Sequence, residues 1–265
     1  MSENVAATGL TPSLASRDRF WFERAGDDLP FYNGRPAAIS LLGWLFVIAM
    51  TAVGFAALLM PVPALQKGIG GFVPAILFFA IPLAALAVVA PRHWTALFRR
   101  VGLRDIGWMV AFAILNIAVT IAIGLVFREL APTTASPIGQ ILTTLSPGDR
   151  TIFFLRTLPQ LFGEEVVSIL PFLVVLTLLS AGAGAPRRWA IIGAWLAAAL
   201  LFAAIHLPTY GWNFLQCFVV IGSARLILLL PYIMTRNIWV SAGAHIINDW
   251  TMFGALLLGG AVLTA

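Results

Sequence analysis

Two neighbouring carboxylates, Glu164 and Glu165, stand in the stretch LFGEEVVSIL, Leu161 to Leu170, where every flanking residue is apolar or small. A charge at bilayer depth costs at least about 2.5 to 3.5 kcal/mol on insertion scales, so such residues mark a site or a pathway. The other ionisable groups of note within apolar stretches are Asp249, His206, His245 and Arg225, whereas His93 falls in a basic loop. In FAAIH, Phe202 and His206 are four residues apart, as are His245 and Asp249 in HIIND, so each pair shares one helix face. Carboxylates and imidazoles meeting in a pocket closed to bulk solvent suit the activation of a water. One group takes the proton, and the rings orient the water or bind a metal.

The elements that must position these groups are membrane helices. The chain has 265 residues, 60% hydrophobic and 10% charged, against roughly 45 to 50% apolar in an ordinary soluble domain. Apolar runs near 38–61, 72–91, 107–127, 158–180, 189–206, 213–234 and 238–263 are each long enough to cross about 30 Å of hydrocarbon as a helix. Lipid offers no water to backbone groups, so these runs are read as helices despite abundant Val, Ile and Phe. The expected fold is an all-α polytopic membrane bundle of about seven transmembrane helices. It divides into a polar N-terminal tail (1–36), a three-helix support region (37–150) and a four-helix core (151–265). The support region has almost no ionisable residues within its spans, and the core holds nearly all the intramembrane polar groups.

Within the tail, residues 1–16 read as disordered, and RDRFWFER (17–24) reads as an interfacial segment with Phe20, Trp21 and Phe22 as headgroup anchors. No short apolar core with a cleavage site opens the chain, so no removable signal is expected. The longest connection, 128–150, is rich in Pro, Ser and Thr and is expected to be a loop. Pro159 suits the first turn of the fourth helix. Pro171 lies inside that helix, removes the bond to the Val167 carbonyl and is expected to kink the rod beside the glutamates.

Seven spans put eleven arginines on one side (17, 19, 24, 35, 92, 99, 100, 104, 187, 188 and 236) and four cations, Lys67, Arg128, Arg150 and Arg156, on the other. This imbalance places the N-terminus in the cytoplasm and the C-terminus outside, as in a bacterial inner-membrane protein. The basic excess follows the membrane and gives no reason to invoke nucleic acid. Cys217 is the single cysteine, so no intramolecular disulfide is possible.

The set E-E, then F-x-x-x-H, then H-x-x-x-(N/D), on successive polar-bearing helices between about 160 and 250, resembles the CPBP family of intramembrane proteases. That family includes the Ras-converting-type CAAX endopeptidases and the bacterial bacteriocin-immunity (Abi) proteins. The resemblance implies an intramembrane endopeptidase in which Glu164 is the general base for the hydrolytic water. His206 and His245 would position that water or stabilise the oxyanion, with Glu165 and Asp249 in support. It leaves open a divalent metal such as zinc, held by Glu164, His206 and His245, or a glutamate-dependent hydrolysis without a tightly held metal. The implied partners are the lipid bilayer and a peptide or protein substrate.

The chain departs from this pattern twice. E-E-x-x-x-R would place an arginine at 169, where this chain has Ile169, and a buried carboxyl without a partner tends to stay protonated. Arg225 is the expected substitute, pairing with Glu165 across helices. At the last motif position stands Asp249, preceded by Asn248. An ionised Asp cannot donate to an oxyanion, so Asp249 is expected to orient a histidine or join a metal site.

Plainer readings stand beside these. Phe202 reads as packing, His206 as an interface histidine before LPTYGW, Arg225 as a cap or a snorkelling cation, and Gly222 with Ser223 as a close helix approach. Counting along upright helices puts His206 about 25 Å deep and His245 about 12 Å deep, an offset that tilt or kinking must close. The missing arginine also admits a catalytically impaired relative acting as a scaffold or immunity protein. A proton-coupled transporter would need repeats that the sequence does not show.

Overall fold

Short hydroxyl side chains open several of the helices, because a helix start leaves backbone N–H groups that a serine oxygen can accept. Ser40 accepts from the Gly43 N–H ahead of α1 (Leu41–Leu58). The chain then forms α2 (Phe72–Val89) and α3 (Leu103–Leu130). Ser136 and Pro137 open the short α4 (Pro137–Thr144), and Ser146 and Pro147 open α5 (Pro147–Thr177). Ser146 both accepts from the Asp149 N–H and donates to its carboxylate at 2.6 Å. The core closes with α6 (Arg187–Ile205), α7 (Gly222–Thr235) and α8 (Ile238–Leu263). In this computed structural model residues 18–26 and 28–263 are described, and among them there is no strand. The disordered tail expected at residues 1–16 lies outside the described residues.

Two boundaries correct the sequence expectations. The fourth span begins at Pro147, so Pro159 lies in its interior instead of its first turn. The stretch 128–150 is not a loop: α3 runs to Leu130, α4 fills its middle, and α5 has already begun before its end. Both starts are Ser-Pro pairs, which preset the first helical turn. Asp149, Arg150 and Arg156 interrupt the apolar run and hid the earlier start from hydropathy.

Six helices among the described residues are long and apolar enough to cross a membrane. The last helix, α8, has 26 residues, about 39 Å of rise, but carries the polar His245, Asn248 and Asp249. The span built on α5 is the hub, with 56% of its most apolar window buried, against 17% for that of α3. Helices α2, α6 and α8 all pack on it. Gly163 permits the closest approach: a Cβ there would lie 2.3 Å from the Phe78 ring, so α2 can meet α5 beside the glutamates only because position 163 has no side chain.

Residues 18–26 and 28–36 form a strap across one end of the bundle. The Glu23 side chain is fully buried between Arg187 (2.5 Å) and Arg236 (2.8 Å), and Asp28 binds Arg187 at 2.7 Å. Burial by itself would raise the Glu23 carboxyl, but bonds from Arg187 and the Phe20 N–H, with the charges of Arg187 and Arg236, hold it below the ordinary range. Asp28 is lowered in the same way, against burial, by Arg187 and by the Tyr32 hydroxyl. Burial and that same bond push Tyr32 up to about 12. Of the three expected headgroup anchors, Trp21 alone projects, at 94% exposure. Phe20 and Phe22 stack on each other at 5.2 Å and pack against the core.

Candidate active site

Three helices bring the ionisable groups together. From α5 come Glu164, Glu165 and Ser168; from α7, Arg225; and from α8, His245, Asn248 and Asp249. Arg225 and Glu165 pair at 2.5 Å with both side chains fully buried. The guanidinium also donates to Ser168 Oγ at 2.9 Å and lies 4.2 Å over the Phe202 ring. The cation expected at 169 is therefore supplied from another helix, and Ile169 is packed in the apolar core.

The ring of His245 is held by this pair. Its Nδ1 is 2.8 Å from Glu165 Oε1, a distance at which the carboxylate accepts a proton-bearing nitrogen. Arg225 Nη2 is 3.2 Å from the same Nδ1, since both donors converge on one oxygen. With Nδ1 protonated, the neutral ring leaves Nε2 as an acceptor. Nε2 faces Glu164 Oε2 at 3.8 Å and Asp249 Oδ1 at 3.6 Å, separations that a bridging water spans and a direct hydrogen bond does not.

Exposure separates the adjacent carboxylates. The Glu165 side chain is 0% exposed, whereas Glu164 is 14% and Asp249 22% exposed. Glu165 is thus a fixed anchor, and Glu164 and Asp249 border accessible space. Gly243 makes room on the neighbouring turn of α8: a Cβ there would lie 2.4 Å from Met109 Sδ.

His206 is less tightly gathered. It ends α6, and its Nδ1 is bonded to the Phe202 carbonyl at 2.8 Å. Phe202 lies against both imidazoles, with centroids 4.4 Å from His206 and 6.5 Å from His245. Phe202 thus links the end of α6 to the His245 ring of α8. No group of three or more His, Cys, Asp and Glu side chains is arranged to hold a metal ion among the described residues.

Two nearby residues escaped the sequence reading. Asn116 of α3 donates to Asn248 Oδ1 at 2.9 Å, and Asn248 donates to Asp249 Oδ1 at 2.8 Å. A relay of amides therefore runs from the support region to the site. An asparagine within an apolar span was the available signal, because it needs a partner in lipid. Tyr210, in the loop after α6, is the second. Burial raises its phenol against a lowering bond to Ser136, and the negative charges of Asp249 and Glu164 raise it further.

In a comparison with known families, residues 106–251 fit the family described as type II CAAX prenyl endopeptidase Rce1-like. The match covers more than half of the chain, which belongs to this family. Curated proteins and solved structures return no match.

Proposed function

From membership in a membrane protease family, we propose that this integral membrane protein is an endopeptidase. It hydrolyses a peptide bond within or near the bilayer, using a water activated by Glu164. What supports the reading above all is the division between the two glutamates. Glu165 is sealed against Arg225 and fixes His245, while Glu164 opens towards His245 Nε2 and Asp249.

In the proposed step a water lies between Glu164 and His245. It gives one hydrogen bond to the Glu164 carboxylate and one to Nε2, leaving an oxygen lone pair for the peptide carbonyl carbon. Glu164 takes the proton as the C–O bond forms, then delivers it to the departing amine as the C–N bond breaks. The products are a carboxylic acid and an amine, and Glu164 returns to its ionised state. Arg225, Glu165 and Ser168 hold the ring that orients the water, and Asn116 and Asn248 hold Asp249. His206, with Nδ1–H engaged by the Phe202 carbonyl, donates to the developing oxyanion from Nε2 only when both its nitrogens carry protons. The strap and its arginines are assigned to the cytoplasmic side and the C-terminus to the outside.

The test is Glu164→Gln in protein reconstituted into vesicles with a library of apolar peptides. The amide keeps the shape and removes the base, so turnover should fall by about 10² to 10⁴ with thermal stability unchanged. Full retained proteolysis would overturn the assignment.

A further inference from the structure

The loop that carries His206 is tied to the rest of the bundle by amide groups outside the hydrolytic centre. His206 ends α6, and further along the chain Gln216 closes the helical turn Phe214–Gln216, which runs through a π-helical turn, Cys217–Ile221, into α7 and Arg225. Gln216 is 8% exposed, and its side chain pairs with both backbone groups of Thr134. Its Oε1 accepts from the Thr134 N–H at 2.7 Å, and its Nε2 donates to the Thr134 carbonyl at 2.9 Å. Asn213 completes the clamp. Its Oδ1 accepts from the Gln216 N–H at 3.1 Å, and its Nδ2 donates to the Pro132 carbonyl at 2.9 Å and to Gln216 Oε1 at 3.2 Å. Pro132 and Thr134 lie in the link between α3 and α4, so the two amides fasten one connection to another.

Between His206 and the clamp the backbone is strained. Gly211 and Trp212 are both left-handed, with φ of 58° and 62°. Glycine adopts that region freely, but a residue as bulky as tryptophan does so only at a cost. The Trp212 indole is 61% exposed, so burial of the ring does not compensate. The turn is held through its main chain: the Trp212 N–H donates to the Leu207 carbonyl at 2.8 Å, the Tyr210 N–H to the His206 carbonyl at 3.3 Å and the Asn213 N–H to the Tyr210 carbonyl at 3.1 Å. Strained residues persist where the surrounding structure over-determines them, and they cluster at functional sites. Here the strained turn joins His206 on one side to the amide clamp on the other.

We propose that Gln216, aided by Asn213, is a positioning residue for His206: by fixing the loop after α6 on Pro132 and Thr134, it sets the reach of the imidazole towards the developing oxyanion. This rests on the hydrolytic reading of His206. A donor misplaced by about 1 Å costs up to about a hundredfold in turnover, and one that acts on the oxyanion alone leaves ground-state binding unchanged.

Gln216→Met keeps the length of the side chain and removes both bonds to Thr134. Full-length protein in vesicles is assayed with the apolar peptide library, and hydrogen exchange is followed in the same preparation. Exchange at Thr134, Tyr210 and Trp212 should accelerate together by about tenfold or more, while α5 around Glu165 keeps its protection. The kcat should fall by about ten- to a hundredfold, with KM changed less than about twofold. His206→Ala, which removes an oxyanion donor, should lower turnover by about 10² to 10³. In that background Gln216→Met should lower kcat further by less than about twofold. Asn213→Ala alters a half-buried side chain and carries the same comparison if Gln216→Met does not fold. Equal losses in the two backgrounds would make the clamp merely structural and overturn the proposal, as would unchanged exchange at Tyr210 and Trp212. A parent that cleaves none of the peptides overturns the hydrolytic reading and the positioning with it, whatever the exchange shows.

Discussion

Arg225→Met is the most discriminating perturbation of the buried pair. It removes a guanidinium that is fully buried and bonded to Glu165 at 2.5 Å and to Ser168 at 2.9 Å. The Glu165 carboxylate is then left without a cation in a dry interior. Removing one partner of such a pair costs about 3 to 5 kcal/mol, a large part of the roughly 5 to 15 kcal/mol that holds a domain together. Replacing both partners by apolar groups of similar volume is close to neutral. Glu165→Leu with Arg225→Met should therefore recover most of the stability lost in Arg225→Met. It should not recover turnover, because His245 Nδ1 has lost the oxygen 2.8 Å away that fixes its proton. Denaturant unfolding in mixed micelles and peptide hydrolysis in vesicles read the two quantities separately. A single variant as stable as the parent within about 1 kcal/mol, or a double variant with full activity, would refute the assignment of this pair as the anchor of His245.

Two further outcomes concern other parts of the molecule. Asn116→Leu leaves the Asn248 amide oxygen without its donor, an omission costing about 1 to 3 kcal/mol when buried; it should lower kcat more than it raises KM, and an unchanged kcat would remove Asn116 from the positioning of Asp249. The strap should release in acid. Glu23 and Asp28 are held below their ordinary values of 4.5 and 3.8, so their stabilisation is complete above about pH 5 and is lost as pH falls through the lowered values. Protease sensitivity of residues 18–36 should rise over that acid range in the parent but at neutral pH in Glu23→Gln, and identical pH profiles for the two proteins would contradict the clamp.

Hydropathy exposed the membrane class, because a span must be apolar wherever it meets lipid. It also exposed the Glu165–Arg225 pairing, because a carboxylate and a guanidinium in hydrocarbon must each find an opposite charge, and few were available. The start of α5 was hidden because Asp149, Arg150 and Arg156 interrupt the apolar run, although Ser146 and Pro147 signalled it locally. The strap was hidden because Glu23 and Asp28 look like solvated residues of a polar tail. Their burial depends on Arg187 and Arg236, more than 150 residues further along the chain. Asn116 was passed over because it carries no charge.

The adjacency of Glu164 and Glu165 is explained by helix geometry. Successive residues are about 100° apart around a helix, so neighbouring side chains cannot share a face, and one turn of α5 supplies both a sealed carboxylate and an open one. Position 169 lies one turn beyond Glu165 on the same face, where the CPBP pattern puts its arginine and this chain puts Ile169. Supplying the cation from α7 instead makes the orientation of His245 depend on the packing of three helices. Returning the cation to α5, with Ile169→Arg and Arg225→Met, should restore much of the stability and part of the turnover lost in Arg225→Met alone. The new guanidinium can enter the volume vacated by the old one. If the double variant is no better than Arg225→Met, the space around Glu165 has closed to an arginine from its own helix, and the exchange of cation between helices cannot be undone by one substitution.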